Sequence, residues 1–173
     1  HGAAVDAARR MAIAALGEEI AASDTGPFPK GALTLEGETW DADAMAAALA
    51  ASHRADAAAG RTTVGPHRSD LAVTHLAKDQ PAARASTGEQ KALLLGLVLA
   101  HARVVAAHTG RRPVLLLDEV AAHLDETRRA GLFAMLEADA MQVWMTGTDV
   151  SLFRAIGPQA TYIDVSNGRL SRL

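Results

Sequence analysis

The sequence has no cysteine, and this absence excludes several kinds of site. With Cys 0 in 173 residues, the chain can form no disulfide, no thiolate metal site and no cysteine nucleophile. Aromatic residues make up only 3% of the chain, so alanine, leucine and valine must build the core. The longest apolar run without a charge, residues 92–100, is shorter than a bilayer requires. We therefore expect a soluble, cytoplasmic protein.

Positive charge is scarce as well. The formal net charge is -3, and lysine occurs only at Lys30, Lys78 and Lys91. Any binding to nucleic acid must therefore come from a local patch rather than from the overall field. The seven histidines are dispersed without ligand spacing, which argues against a structural zinc. A hydrophobic content of 49% with 21% charged residues indicates a globular chain of ordinary domain size.

The first sixty residues predict two alanine-rich helices with a short strand between them. The first helix covers residues 3–20, a turn rich in Gly and Pro follows over residues 23–31, and an alternating strand lies at 33–36. The second helix is capped by Asp41 or Asp43 and ends at Gly60. No catalytic constellation occurs here, and the scattered arginines are typical of a solvated face.

A polar bend follows between two β-prone runs, residues 62–64 and 72–76. The bend contains the sequence Gly-Pro-His-Arg, which ends in His67 and Arg68. These two side chains could hold a phosphate or order a neighbouring loop. Alternatively, they only decorate a surface turn. Their chemistry alone does not decide between these interpretations.

Residues 86–91, Ser-Thr-Gly-Glu-Gln-Lys, begin a long helix that continues through His108. Ser followed three residues later by Glu is a capping box, in which two side chains satisfy free amides at the start of the helix. The same amides and the helix dipole could instead bind an anion such as a γ-phosphate. The helix carries an apolar stripe with one histidine inside it, which we interpret as a core or interface residue: Leu93, Leu94, Leu97, Val98, His101, Val104 and Val105.

Two acids end the most apolar strand of the chain. Residues 113–119, Pro-Val-Leu-Leu-Leu-Asp-Glu, predict a short strand that is buried on both faces and presents Asp118 and Glu119 at its carboxyl end. Ligands of α/β sheets gather at that edge, where paired carboxylates can hold Mg²⁺ and orient a water. The alternative is an apolar strand that ends in acids because it leaves the core. A second buried strand, 142–145, delivers Thr146 to the same rim.

The remaining elements complete an alternation of helices and strands. Asp125 can cap the helix after the acidic strand, and Asn167-Gly168 predicts a turn after the strand at 161–165. This order is typical of a parallel or mixed sheet covered by helices.

Three motifs in this order resemble those of ABC-type ATPases: the signature at residues 86–91, the acidic strand ending at Glu119, and the loop Ala-His-Leu-Asp ending at Asp125. Within that superfamily the motif forms are most similar to the RecF family of the SMC-like branch. A transporter subunit would more usually show a second glycine where Glu89 stands, Pro-Thr after the two acids, and a histidine at Thr146.

The resemblance implies a role for each matching residue. Asp118 would hold Mg²⁺ through water, and Glu119 would polarise the attacking water. Ser86 and Gly88 would meet the γ-phosphate of an ATP on the opposite subunit, and this face includes Glu89, Gln90 and Lys91. Asp125 would cross the dimer interface. Thr146, or else Thr148, would take the switch position. A hydroxyl there cannot act as the same base or hydrogen-bond donor as the usual histidine.

The phosphate cradle of an ATPase, G-x-x-x-x-G-K-[ST], occurs nowhere in the chain. Because that loop lies near the amino terminus in the superfamily, the resemblance implies a fragment: the carboxy-terminal half of an ABC-type ATPase head, an α/β fold with a mainly parallel sheet covered by helices. Residues 1–60 would be a segment of the helical arm lobe, and residues 61–173 would belong to the ATPase domain. We expect this fragment alone to be inactive.

The resemblance also implies cofactors and partners for the intact protein. These are ATP and Mg²⁺, an ATP-dependent homodimer, DNA at junctions of double and single strands, and the mediator proteins RecR and RecO, in replication, recombinational gap repair and the SOS response. Two alternatives stay open. One is a non-catalytic interaction module that docks a repair partner, and the other is the nucleotide-binding subunit of a transporter.

Overall fold

The computed structural model describes residues 1–24 and 26–173. The chain divides into two compact units, His1–Arg111 and Arg112–Leu173. The assignment of residues 1–60 to an arm lobe stays a prediction. Within the chain, the strand of this segment pairs with a strand beyond residue 61. The turn predicted over residues 23–31 includes Thr25, which lies outside the described residues.

Three helices make up most of the first unit. They are α1 (Gly2–Ala22), α2 (Ala42–Ala59) and α3 (Thr87–Thr109). The Asp41 carboxylate accepts a hydrogen bond from the Ala44 amide at 2.7 Å and so caps α2 as predicted. Gly60 ends the same helix in the left-handed conformation at φ 64°, which a glycine adopts without steric penalty.

The sheet of the first unit is antiparallel. Strand β1 (Gly31–Glu36) pairs along its whole length with β2 (Asp70–His75), and β2 continues to the short β3 (Gln80–Pro81). The strand predicted at residues 62–64 is wrong, because this segment forms no strand. The Thr63 amide and hydroxyl instead donate to the Asp56 carboxylate of α2, at 2.8 and 2.6 Å. This contact holds the segment against the end of the helix.

The buried face of α3 differs from the predicted stripe. Leu94 is 61% exposed, and Val98 and His101 are exposed as well, so His101 is not a core residue of this chain. The buried positions are Ala92, Leu93, Leu95, Leu99, Ala100 and Ala102. Between residues 92 and 107 the polar positions are only His101 and Arg103, so the periodicity of this part does not distinguish one face from another. Contacts with α1 select the buried face.

Helix α3 is also long and apolar enough to cross a membrane by length and composition, a property that the uncharged run at 92–100 did not indicate. A single helix of this kind is weak evidence, because core helices of soluble proteins pass the same test.

A buried aspartate joins α1 to the segment after β1. Asp6 is 1% exposed, and its carboxylate accepts hydrogen bonds from Arg10 Nε at 2.9 Å and from the Trp40 amide at 3.2 Å. The hydrogen bond from Arg10 is the main reason that the pKa of Asp6 is lowered. The charged carboxylate thereby fixes the connection that leads into α2.

The second unit contains a strand-helix-strand arrangement. Strands β4 (Leu115–Leu117) and β5 (Val143–Met145) pair in parallel, and α4 (Glu126–Asp139) lies between them in sequence. Buried side chains of α4 form the core with Phe153, whose ring centroid lies 6.3 Å from that of Phe133. The expected parallel pairing is thus present between these two strands, whereas the other described strand pairings are antiparallel. The last two strands, β6 (Ile163–Ser166) and β7 (Arg169–Arg172), form a separate antiparallel hairpin.

The prediction that the acidic strand is buried on both faces is wrong for this chain. Leu115 and Leu117 are buried, whereas Leu116 between them is 76% exposed. Its cross-strand partner Trp144 is 54% exposed, so the strand predicted at 142–145 is not buried on both faces either. Successive side chains of a strand point to opposite faces. One face of the strand pair therefore lies open to solvent.

Candidate functional site

The parallel strands bring Asp118, Glu119 and Thr146 to one rim. Leu117 pairs with Met145 at the ends of β4 and β5, and the Thr146 amide continues the ladder by donating to the Leu117 carbonyl at 3.1 Å. The Thr146 hydroxyl donates to the Asp118 carboxylate. The Glu119 amide in turn donates to the Thr146 hydroxyl oxygen at 3.0 Å. One threonine thus ties the two acids to the neighbouring strand.

The residue that follows Thr146 lies close to the ring of Phe153. A Cβ atom built on Gly147 would lie 2.7 Å from the ring atom Cε2 of Phe153, closer than two carbon atoms can pack. The backbone next to Thr146 therefore lies directly against a buried aromatic ring. A side chain larger than hydrogen at residue 147 would therefore displace either the ring or the backbone that carries Thr146.

Glu119 has a conformation that is rare for a residue with a side chain. Its φ of 52° and ψ of 17° lie in the left-handed region, where a non-glycine residue carries a conformational cost of about 1 to 3 kcal/mol. The hydrogen bond from its amide to Thr146 helps to hold this turn. Within the described part of the chain its carboxylate has no hydrogen bond or ion pair, so it is free to contact a ligand.

The oxygen atoms at this rim fit Mg²⁺ chemically. Mg²⁺ prefers oxygen ligands and is commonly held by one or two carboxylates, with water and substrate phosphates as its other ligands. Asp118 is exposed at the strand end, and it supplies such a carboxylate. No group of three or more His, Cys, Asp or Glu residues suited to a metal occurs among the residues that the structure describes. A metal here would therefore depend on ligands from water and from a bound nucleotide.

Asp125 caps α4. Its carboxylate accepts a hydrogen bond from the Arg128 amide at 2.8 Å and forms an ion pair with the Arg128 guanidinium at 3.3 Å. The capping interpretation is confirmed by this geometry. The role of Asp125 at a dimer interface stays a prediction.

The signature residues lie at the start of α3, in the first unit. Ser86 Oγ accepts a hydrogen bond from the Glu89 amide at 3.4 Å, and the Glu89 carboxylate accepts one from the Ser86 amide at 3.1 Å, which confirms the capping box. A Cβ atom built on Gly88 would meet nothing within 4 Å. Packing therefore does not require a glycine at this position, and the helix start stays open to a ligand.

Gln90 and Lys91 differ in their surroundings. The Gln90 amide group donates to the Ala85 carbonyl at 2.9 Å and to the Ala83 carbonyl at 3.2 Å, so it ties the preceding turn to the helix. Lys91 is exposed. The structure brings residues 86–91 together at one helix start, and it brings Asp118, Glu119 and Thr146 together at one strand rim.

The sequence pattern missed two neighbours of Glu89. Lys78 Nζ lies 2.6 Å from the Glu89 carboxylate, and the buried His75 places Nε2 at 4.0 Å from it. The hydrogen bonds from Lys78 and then Ser86 lower the pKa of Glu89 to about 2. Lys78 lies between the predicted strand at residues 72–76 and the helix that begins at residue 86, and nothing local in the sequence shows that this lysine reaches the start of that helix.

Replacing Glu89 with glutamine is expected to destabilise the chain at neutral pH but not in strong acid. Because the folded state lowers the pKa of this carboxyl group from 4.5 to about 2, the stability contributed by the charge is present above pH 4.5 and is lost as the pH falls through about 2. Glutamine preserves the capping geometry. Urea unfolding at several pH values should therefore show a deficit that shrinks towards pH 2.

The matched control for this prediction is Glu126→Gln, which removes an exposed acid from the first turn of α4. We expect a smaller deficit for this variant. A Glu89→Gln deficit that stays constant from pH 7 to pH 2 would contradict the role of the Lys78 ion pair.

Comparison with known proteins gives consistent relatives. No family model matches the chain. The chain is 54% identical over 155 residues to the DNA replication and repair protein RecF of Rhizobium meliloti (strain 1021), an alignment that covers 84% of the chain and 41% of that relative. It is 50% identical over an alignment of 183 positions to the RecF protein of Brucella abortus (strain 2308), with 98% of the chain and 47% of the relative covered. The chain therefore spans less than half the length of these curated relatives.

Solved structures show the same fold at low identity. The structure of the recombination mediator protein RecF-ATPrS in the RecFOR pathway matches with a TM-score of 0.75 and 21% identity, and it covers 99% of the chain and 47% of that protein. An SMC ATPase, solved in a study of ATP-driven dimerization and DNA-stimulated activation, matches with a TM-score of 0.59 and 15% identity over 97% of the chain and 88% of that protein. The fold is therefore that of an ATPase head of the RecF and SMC kind, which confirms the predicted fold class.

Proposed function

Because the chain belongs to the RecF family and spans less than half the length of its curated relatives, we propose that it forms the signature-bearing part of an ATP-binding head in a DNA replication and repair protein. The observation that carries this proposal is the rim of the second unit. There Thr146 links the Asp118 carboxylate to the backbone of Glu119. An apolar strand whose acids simply enter solvent needs no such link.

We assign three distinct roles at this rim. Asp118 would hold Mg²⁺ through water, and this ion, when bound, would neutralise charge on the phosphates of ATP. Glu119 would accept a hydrogen bond from the attacking water and take its proton. Thr146 acts as a positioning residue, since its hydroxyl donates to the Asp118 carboxylate and accepts from the Glu119 backbone amide. Any contribution of Thr146 at the switch position would require this arrangement to open.

The start of α3 would bind the γ-phosphate of an ATP on the opposite subunit. The open space at Gly88 and the partial positive charge of a helix start are suited to a γ-phosphate. Glu89 replaces the usual second glycine, and its charge is already neutralised by Lys78 at 2.6 Å. The ion pair therefore reduces the repulsion that a carboxylate near a phosphate would cause.

For the intact protein we propose ATP and Mg²⁺ as cofactors, a homodimer that encloses two nucleotides, and binding to DNA at junctions of double and single strands. RecR and RecO would be its protein partners, Asp125 would lie at the dimer interface, and the protein would be cytoplasmic. The RecF relatives favour this proposal over a transporter subunit. The acids linked through Thr146 at the strand rim favour it over a module without ATP chemistry.

ATP-driven dimerisation tests the proposal. In a full-length RecF-family protein that carries this sequence, Ser86→Asp should abolish the ATP-dependent dimer, because aspartate still caps the helix but places negative charge at the phosphate position. Ser86→Thr keeps a hydroxyl that can cap the helix and adds no charge at the phosphate position, so this variant should dimerise like the unchanged protein. Analytical ultracentrifugation with and without Mg-ATP measures both outcomes.

Two results would contradict the proposal. One is an unchanged full-length protein that stays monomeric with Mg-ATP. The other is a Ser86→Asp protein that dimerises normally, which would show that the signature residues do not contact the nucleotide. The 173-residue chain serves as the negative control, because its sequence lacks the phosphate cradle and it should neither bind ATP tightly nor hydrolyse it.

A further inference from the structure

The bend after α2 forms an open hollow of about 380 Å³ lined by Arg61, Thr62, His67 and Arg68. The side chains of this hollow are basic or neutral, and Arg61, His67 and Arg68 are exposed. The short helical turn Pro66–Arg68 forms one wall. None of these residues takes part in the nucleotide site proposed above.

Contacts from two helices hold this bend in place. The Asp56 carboxylate at the end of α2 accepts hydrogen bonds from the Thr63 amide and hydroxyl at 2.8 and 2.6 Å, and these bonds lower the pKa of Asp56. Arg9 of α1 donates to the Pro66 carbonyl at 2.5 Å. The hollow therefore has fixed walls on both sides, and the Asp56 carboxylate that holds Thr63 is already engaged by hydrogen-bond donors.

His67 serves as part of the wall rather than as a ligand. Its Nε2 lies 3.0 Å from the Thr62 carbonyl, and since a carbonyl only accepts, the ring must donate there. A Cβ atom built on Gly65 would lie 3.3 Å from Nδ1 of the same ring, and Gly65 itself has φ 134°. The imidazole thus closes residues 62–67 into a loop over a glycine at which a larger residue would be strained.

The two arginines are left to face a ligand. Within the described part of the chain, neither Arg61 nor Arg68 has a hydrogen bond or ion pair through its guanidinium. A guanidinium presents several N–H donors in a fixed plane, which matches the oxygens of a phosphate in a bidentate arrangement. Two such groups on one rigid bend form a binding surface for an anion.

We propose that this hollow binds backbone phosphates of DNA, with Arg61 and Arg68 as the contacting residues and His67 as the residue that positions the bend. The inference rests on the proposed function as a DNA repair protein, and it locates one of its DNA contacts. The chain has a net charge of -3, so DNA contact requires a local patch of this kind. Contacts to phosphate are independent of base sequence.

The test uses the full-length RecF-family protein and a fluorescent DNA duplex with a single-stranded extension, measured by polarisation at several salt concentrations. The double variant Arg61→Gln, Arg68→Gln should weaken binding about tenfold. It should also reduce the slope of log affinity against log salt by about 2, since each phosphate that the protein no longer neutralises lowers this slope by about 0.9. Arg54→Gln removes an exposed charge from α2 outside the hollow and should change neither value by a comparable amount.

A lysine variant separates the effect of charge from that of guanidinium geometry, and ATP affinity identifies the source of the phosphate. Arg61→Lys with Arg68→Lys keeps both charges and should retain the salt slope, while a lower affinity would reflect the absence of bidentate geometry. ATP affinity measured on the same proteins should not change. If the glutamine variant lost ATP affinity and kept DNA affinity, the hollow would bind a nucleotide phosphate and the DNA assignment would be overturned.

The proposal is also overturned if the glutamine variant binds DNA with the affinity and salt slope of Arg54→Gln. This result is distinct from failure of the proposed function, in which the unchanged protein would show neither DNA binding nor ATP-dependent dimerisation. Both arginines are exposed, so the variants should keep the thermal unfolding midpoint of the unchanged protein.

Discussion

Replacement of Glu119 by glutamine in the full-length protein is expected to lower ATP turnover by at least about 100-fold, the usual effect of losing a general base. Glutamine has nearly the same shape, and the Glu119 amide that donates to Thr146 is untouched. Binding of ATP and formation of the ATP-dependent dimer should therefore persist. Single-turnover phosphate release measures the chemical step apart from binding.

The control for this variant is Glu126→Gln, which removes an exposed acid of α4 and should leave turnover unchanged. An unchanged rate for Glu119→Gln would contradict the role of Glu119 as the general base. A loss of ATP binding together with turnover would instead assign Glu119 to the nucleotide pocket, against the role that we propose.

Replacement of Leu132 by alanine is expected to destabilise the chain by about 3 kcal/mol. Leu132 of α4 is 0% exposed, so its removal leaves a cavity in the core of the second unit and also forfeits the burial of its side chain. Urea unfolding followed by circular dichroism gives the change in the free energy of unfolding, provided that the slope with denaturant stays constant.

The matched control is Leu116→Ala, the same change at a residue that is 76% exposed in the same unit. In the 173-residue chain its effect should stay within about 0.5 kcal/mol, as at other surface positions. Equal losses of stability for the two variants would contradict the assignment of Leu116 to an open face of β4.

Helix starts and turns were predicted well because their causes are local. The Asp41 and Asp125 carboxylates each accept a hydrogen bond from the amide three residues later, and Ser86 and Glu89 exchange theirs over the same spacing. Asn167 and Gly168, with φ of 50° and 74°, form the predicted hairpin turn. Such bonds need no distant partner, so the residue types and their spacing suffice.

Burial was predicted less well. The predicted stripe of α3 included Leu94 and His101, the latter as a core or interface residue, and both are exposed in this chain. The central leucine of β4 was predicted to be buried and is the most exposed of the three. Apolar composition indicates that a segment can be buried, but the elements that pack against it decide which of its faces is buried.

The rim residues show a similar division. The order of the motifs and the two acids at a strand end were visible in the sequence, whereas the contact of Thr146 with Asp118 spans 28 residues. The ion pair of Lys78 with Glu89 joins a turn to a helix start in the same way. Neither contact has a local signal, because each depends on how two separate elements align.

By itself the sequence determined the helix caps, the hairpin turn, the lack of cysteine chemistry and the ordered motifs that indicate a RecF-type ATPase, because these depend on residue identity over a few positions. Only the tertiary structure decided the exposed face of β4 and α3, the left-handed Glu119 held by Thr146, and the two arginines of the hollow without a partner in the described chain. The first two properties depend on which elements pack together through parallel strand pairing and helix packing, and the third depends on how a single bend is held by contacts from α1 and α2. The sequence therefore shows that Asp118 and Glu119 lie at the end of a strand. Only the fold shows that Thr146 contacts the carboxylate of the first and the backbone amide of the second.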